Sequence, residues 1–208
     1  MTRILKLHDW LTTWDQLGLR GSREDFDDLL DRYRESHRAY HTLQHLRECF
    51  DQLATAGQLA TRLGEVKLAV WFHDVIYDPR KSDNEERSRD YAQSVLTRAD
   101  ADVGLKSRVE NLILATKHTS DVTDSDAKLL VDIDLAILGS DALRFDEYEL
   151  QVRQEYAWVP TADFRTGRSR ILSQFLARPR IFLTDWFFNR FERPARANLQ
   201  RSLDQLSE

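Results

Sequence analysis

Ionisable residues interrupt the two most apolar segments of the chain, and this pattern limits how the chain can fold. His73 and Asp74 directly follow a run of five apolar residues. Asp132 and Asp134 lie within a second apolar segment, residues 129–138. Charged side chains rarely enter a protein interior unless they are paired or bind a metal ion. Both segments therefore predict buried helices that carry a polar site into the core.

The rest of the chain predicts one helix after another. Apolar residues recur at helical spacing, and seven Gly and four Pro in 208 residues are few for an all-β protein. We therefore expect an all-α, single-domain helical bundle over residues 1–208, with the C-terminal helices at 141–208 packed on a core at about 35–140. The predicted helices span residues 5–17, 23–33, 41–56, 65–77, 84–98, 103–117, 128–138, 145–159, 166–177 and 185–206.

Net charge, hydropathy and cysteine content argue against several classes of protein. The net charge of −5 argues against binding to a nucleic-acid polymer. The sequence contains no apolar stretch of 18 residues, so we expect no membrane span and a cytoplasmic location. Cys49 is the only cysteine, which excludes a thiolate metal cluster and leaves imidazole and carboxylate as the candidate ligands.

Three of the six histidines recur at four-residue intervals, at positions 37, 41 and 45. On a helix, His41 and His45 would lie on one face about a turn apart, where two imidazoles can chelate one ion. The alternative is a polar helix face with solvated histidines. The His73–Asp74 pair has two interpretations as well, a metal site or a hydrogen-bonded pair inside the core.

The order of these residues resembles a known family. His45, then His73–Asp74, then Asp134 is similar to the H…HD…D signature of the HD-domain metal-dependent phosphohydrolases. The resemblance extends over residues 35–140, and the later part of the chain resembles a small bacterial branch of that superfamily. Asp132 lies two residues before Asp134, so on a helix only one of the two should reach a shared site.

The resemblance implies an HD-like helical fold and one divalent ion held by His45, His73, Asp74 and Asp134. Mn, Mg, Fe, Co and Ni all suit such ligands. It also implies hydrolysis of a phosphoric ester or pyrophosphate in a small phosphorylated molecule, with a nucleotide as the favoured class. A homodimer is left open.

Further residues receive roles from the same resemblance. Asp78 matches the second acid of a pair that activates water in the family's alarmone hydrolases, whereas Tyr77 departs from the first. Glu85 or Glu86 is the alternative base, and Lys117 is the candidate cation for catalysis.

Substrate binding is assigned to five residues. His41 lies near the first ligand, and His118 could contact phosphate, add a second metal ligand or be a surface residue at a helix end. Arg153 is a further candidate cation. Arg165 and Arg168 are expected beside a helix start, where backbone N–H groups also favour anions.

Two other functions remain open from the sequence. The same pocket could hold a nucleotide or metal without turnover, as a regulatory module. Alternatively, the chain could be a helical scaffold that uses the aromatic residues at 186–191 as an interface.

Overall fold

The computed structural model describes residues 5–118 and 121–207, and every regular element among them is helical, which confirms the predicted all-α class. The chain forms two compact units, residues 1–133 and 134–208. The helices of the first unit are α1 (Leu7–Asp15), α2 (Arg23–Arg32), α3 (Leu43–Ala56), α4 (Leu63–Phe72), α5 (Asn84–Arg98), α6 (Val103–Ala115) and α7 (Ser125–Asp134), whose last residue begins the second unit. The second unit continues with a 3-10 helix (Leu135–Gly139), α8 (Ala142–Glu155), α9 (Thr161–Ala177) and α10 (Asp185–Ser207).

Side-chain caps start several of these helices. The Ser22 hydroxyl accepts a hydrogen bond from the Asp25 N–H at 3.2 Å and caps α2, as its sequence predicts. Asp102 caps α6 in the same way, with its carboxylate 2.9 Å from the Leu105 nitrogen. Each cap satisfies a backbone donor that the first turn of a helix leaves without a partner.

Helix α4 is the core element of the first unit, as its apolar sequence predicts. Six of its ten residues are buried apolar side chains. Trp10 of α1 packs edge-on against Trp71 and Phe72, with ring centroids 5.6 Å away in both cases, and Phe50 of α3 lies 4.6 Å from Trp71. Aromatic packing of this kind adds to the stabilisation from burial.

Helix α7 is tied to the start of α4. Buried Asp126 accepts hydrogen bonds from the Thr61 and Arg62 N–H groups at 2.7 and 2.9 Å. Because these groups lie just before α4, the carboxylate holds the start of α4 against α7.

Several predicted helix boundaries are wrong, and the differences in α3, α4 and α9 affect candidate site residues. Helix α3 begins at Leu43, where the Thr42 hydroxyl caps it, so His41 precedes the helix. Helix α4 ends at Phe72 rather than at residue 77, because side chains take up the backbone carbonyls that follow it. Helix α9 begins at Thr161, directly after Pro160.

The second unit has its own aromatic core. Phe182 and Phe187 are fully buried, with rings stacked at 6.2 Å. The buried Glu192 carboxylate accepts hydrogen bonds from the Ile181 and Phe182 N–H groups, between 3.0 and 3.2 Å. At Phe187, therefore, the aromatic segment forms core rather than an open interface.

Within the described residues, no helix combines the length and apolar character needed to cross a bilayer.

Candidate metal centre

Three donor atoms from two parts of the first unit form a small triangle. Nε2 of His45, near the start of α3, lies 3.1 Å from Nε2 of His73, directly after α4. Oδ2 of Asp74 lies 3.4 Å from the first nitrogen and 3.2 Å from the second. The sequence predicted all three as ligands, and the fold brings them together.

The size of this triangle suits a shared ion. Nitrogen and oxygen ligands lie about 2.1 Å from a divalent metal, so two ligands of the same ion lie about 3.0 to 3.4 Å apart in octahedral or tetrahedral geometry. The three separations fall in this range, whereas a hydrogen-bonded imidazole pair requires only one such contact. The donor set therefore fits one divalent metal ion.

A backbone hydrogen bond selects the tautomer of His73 that can bind a metal. Its Nδ1 lies 2.9 Å from the Val70 carbonyl oxygen, which can only accept. The proton of a neutral His73 therefore lies on Nδ1, and the lone pair of Nε2 points into the triangle. Metal-binding histidines commonly hold their second nitrogen in this way.

Burial and charge act in opposite directions on Asp74. Only 15% of its side chain is exposed, and the two imidazoles beside it are almost fully buried. Burial disfavours the charged carboxylate, but His73 and His45 outweigh this effect and hold the pKa of Asp74 well below its usual range. Asp74 is therefore an anionic donor across the physiological pH range.

Two more donors come close to the histidines. A ligand atom of each of His45, Cys49, His73 and Asp134 lies within 4.8 Å of the others, so this group could hold a metal ion. Asp134 is the last residue of α7, which runs without a break from Ser125. Asp132, two residues earlier on the same helix, is fully buried.

The single cysteine was missed as a neighbour of the site, although its spacing from His45 indicates a shared helix face. Cys49 is buried, and its Sγ lies 3.8 Å from Nδ1 and 3.7 Å from Nε2 of His45. A sulfur ligand of an ion bound at Nε2 would be clearly nearer to Nε2 than to Nδ1, because the ion lies along the lone pair of Nε2. In this rotamer, Cys49 therefore packs against the imidazole and is not itself a ligand.

His41 lies beside the histidine pair, but it precedes α3, so it does not share a helical face with His45. Its ring stacks on Tyr77 with centroids 4.0 Å apart and lies 5.9 Å from the His45 ring. His41 is thus at the edge of the triangle, where a substrate group could meet it.

The two candidate bases differ in their surroundings. The Asp78 carboxylate accepts a hydrogen bond from the Arg80 N–H at 2.9 Å, and the Asp78 backbone is paired with Asn84, so Asp78 is part of a turn. Glu85 is half-buried at the start of α5. Burial raises the pKa of Glu85, and the negative charge of Asp74 raises it further. The two carboxylates therefore differ in setting: Asp78 is held in a turn, whereas Glu85 is partly buried and feels the charge of Asp74.

The candidate cation Lys117 is already paired. It forms an ion pair with Glu86, and this contact raises the pKa of Lys117. His118, one residue on, has a left-handed backbone with φ of 57°. The role of His118 in binding phosphate or metal stays a prediction.

Two of the three arginines predicted to bind anions form hydrogen bonds with other residues of the second unit. Arg153 donates to the carbonyl oxygens of Tyr156 and Val159 at 2.6 and 3.0 Å, and so closes the end of α8. Arg168 is buried, pairs with Glu149 and donates to the Tyr148 hydroxyl at 2.8 Å. Both side chains therefore contribute to the fold, and their assignment to substrate stays a prediction.

Arg165 is exposed on α9. Since α9 begins four residues earlier, neither Arg165 nor Arg168 lies beside a helix start as predicted. The anion-binding argument from free N–H groups therefore does not apply to them.

Comparisons with protein families, curated proteins and solved structures found no match to this chain.

Proposed function

We propose that the chain is a metal-dependent phosphohydrolase that cleaves a phosphoric ester or pyrophosphate bond in a small molecule, with a nucleotide as the favoured substrate. The observation that carries this proposal is the triangle of His45, His73 and Asp74 donors, with sides of 3.1, 3.2 and 3.4 Å. Buried imidazoles and a carboxylate at this spacing suit a hydrolytic divalent ion.

The fourth ligand in this proposal is Asp134. Its ligand atom lies within 4.8 Å of those of His45 and His73, which supports the assignment. The order of the motif in the sequence, which resembles that of HD-domain phosphohydrolases, supports it as well. The ion would be Mn, Mg, Fe, Co or Ni, because imidazole and carboxylate together accept all of these.

The chain's own residues have separate tasks in this proposal. A divalent ion bound by the four ligands supplies Lewis acidity and a water of lowered pKa. A carboxylate oxygen of Glu85 receives the proton of the attacking water, and its raised pKa makes it a better base than an ordinary glutamate. His73 keeps its proton on Nδ1, bonded to Val70, and so remains a neutral ligand.

Lys117 and His41 are the proposed contacts for the phosphoryl group. Lys117 is about one-third exposed, so its amino group can exchange Glu86 for a substrate oxygen. His41 presents an imidazole at the edge of the site. A positive group here would stabilise the negative charge that develops in the transition state.

A binding module without turnover is the second candidate. The observation that favours it is the Lys117–Glu86 ion pair, which neutralises the cation proposed for catalysis. Such a module would keep the metal or nucleotide but lack the cation that phosphoryl transfer requires.

One experiment separates these functions. Elemental analysis of the purified protein identifies the ion, and phosphate release is then measured on a nucleotide panel with each metal. The hydrolase requires metal-dependent release that Asp74→Ala abolishes while its circular dichroism stays native. Nucleotide binding without release would establish the module instead, and retained activity in Asp74→Ala would exclude the proposed site.

A further inference from the structure

A buried arginine holds the turn that carries two of the proposed ligands. Helix α4 ends at Phe72, so the carbonyl groups that follow have no partner within the helix. Arg38 donates from Nη1 to the Asp74 carbonyl at 2.7 Å and from Nη2 to the Val75 carbonyl at 2.9 Å. The backbone of the metal-binding aspartate is therefore fixed by a side chain from a segment 36 residues earlier.

The same guanidinium reaches two further groups. Nη1 also donates to the His41 carbonyl at 3.1 Å, and the Glu35 carboxylate accepts from Nε and Nη2 at 3.1 and 3.0 Å. The fork of one arginine thus joins the segment before α3 to the turn after α4. These two segments carry His41 and Asp74.

The environment of Arg38 makes this contact costly to lose. Its side chain is fully buried, whereas that of Glu35 is 39% exposed. The rings of Tyr33 and Tyr77 lie 5.2 and 5.7 Å from its guanidinium carbon. Removing the guanidinium would leave three partly or fully buried backbone carbonyls without this donor.

Neighbouring contacts hold the rest of the turn. The Ser88 hydroxyl bonds both the N–H and the carbonyl of Ile76, at 3.1 Å each. Nε2 of His37 lies 2.7 Å from the Tyr77 carbonyl. Arg38 is the only one of these three side chains that contacts the backbone of Asp74 itself.

We infer that Arg38 is a positioning residue for the metal centre: it sets the Asp74 carboxylate against the two histidines by holding the backbone of the turn. This inference rests on the proposed metal site. It assigns Arg38 no contact with substrate or ion. Loss of an outer group that orients a ligand commonly weakens metal affinity by about 10- to 100-fold, and we expect a loss of that size here.

The test is a titration of the metal-free full chain with Mn²⁺ alone, followed by electron paramagnetic resonance. Arg38→Ala is compared with the wild type and with Arg34→Ala. Arg34 is the matched control because it lies four residues away, on the surface, in an ion pair with Asp31 at 3.1 Å. Each Arg38→Ala titration is repeated with methylguanidinium, which can replace the missing donors.

The expected result is weaker Mn²⁺ binding by Arg38→Ala, recovery with methylguanidinium, and wild-type affinity in Arg34→Ala. Rescue separates positioning from general loss of structure. If Arg38→Ala does not fold, Arg38→Lys replaces it; Lys keeps the charge but lacks the fork, so weaker binding is again expected.

A folded Arg38 variant with wild-type Mn²⁺ affinity, or a loss that methylguanidinium does not reverse, would overturn the inference while leaving the metal site intact. A wild-type protein that binds no Mn²⁺ would instead refute the metal site, and with it the role given to Arg38.

Discussion

The Nε2 atoms of His45 and His73 lie 3.1 Å apart although 28 residues separate the two histidines in the chain. Both rings are buried, and the Val70 carbonyl directs the His73 lone pair toward His45. Two lone pairs that face each other in the core are unfavourable unless a proton or a cation lies between them. The Asp74 carboxylate completes a negative pocket, which makes the cation the better partner.

Replacing Glu85 by Gln should lower the rate of phosphate release by about 100- to 10,000-fold, the usual contribution of a general base. Metal content should stay at the wild-type level, because Glu85 is not a ligand in this assignment. The measurement is turnover with elemental analysis of the same sample. Asp78→Asn is the control, since an asparagine oxygen can still accept from the Arg80 N–H. A larger loss of activity in Asp78→Asn than in Glu85→Gln would show that Asp78, and not Glu85, is the base.

The same Glu85→Gln change should stabilise the metal-free protein at neutral pH. Burial raises the pKa of folded Glu85 above its ordinary value of 4.5, so the folded state binds the proton more tightly than the unfolded state does. Wild-type stability therefore falls as pH rises from 4.5 through the raised pKa, and glutamine removes that loss. The gain in stability of Glu85→Gln over the wild type should appear at pH values above the raised pKa and vanish below pH 4.5. Thermal unfolding measured against pH in the presence of a chelator tests this.

Glu86→Gln is the matched control and should show the opposite sign. Its hydrogen bond with Lys117 lowers the pKa of Glu86, so the charged form stabilises the fold above the unfolded value and this stability is lost as pH falls. A stability gain at neutral pH in both variants would show that burial does not raise the pKa of Glu85.

Cys49→Ala should leave metal affinity almost unchanged. Sγ lies 3.8 Å from Nδ1 and 3.7 Å from Nε2 of His45, so it does not face the position of the ion. The cost should be limited to about 1 kcal/mol of stability, typical of a point mutation. The Co²⁺ protein should show d–d absorption without a thiolate charge-transfer band. If that band appears in the wild type and disappears in Cys49→Ala, the cysteine rotates to become a ligand.

Arg168→Ala should destabilise the protein by about 3 to 5 kcal/mol, because it leaves the carboxylate of Glu149 without its buried partner. Arg165→Ala, an exposed change on the same helix, should stay within about 0.5 kcal/mol of the wild type. Urea unfolding of both variants measures the difference. Unchanged stability in Arg168→Ala together with a raised KM would show that Arg168 binds substrate.

Local sequence determined much of the helical pattern. Helix α5 has the predicted bounds, and Ser22 caps α2 as expected. The apolar character of α4 predicted its place in the core. These features follow from nearest neighbours along the chain, namely helical periodicity and capping side chains, so one sequence is enough to find them.

The ligand positions His45, His73 and Asp74 were also named from the sequence, through the resemblance of their order to the HD signature. For His73 and Asp74, the apolar run before them indicated in addition that these ionisable groups need a partner. However, the sequence placed His41 on α3 and His73 inside α4. Both lie outside those helices, since Thr42 caps the first and the second ends at Phe72. Helix ends are decided by which side chains take up the last backbone groups, and here some of those side chains are distant in sequence.

Only the tertiary structure decided what the charged residues do. The sequence suggested that Arg153 and Arg168 bind an anion, yet in the structure they satisfy buried or terminal groups of their own unit. Arg38 carried no signal in the sequence, although it bonds the carbonyls of Asp74 and Val75. Periodicity reports which face of a helix is buried, because burial repeats with the turn of the helix. Which acceptor a long side chain reaches depends on segments that folding brings together. The spacing of residues along the chain does not contain that information, because the acceptor and the side chain can be far apart in sequence.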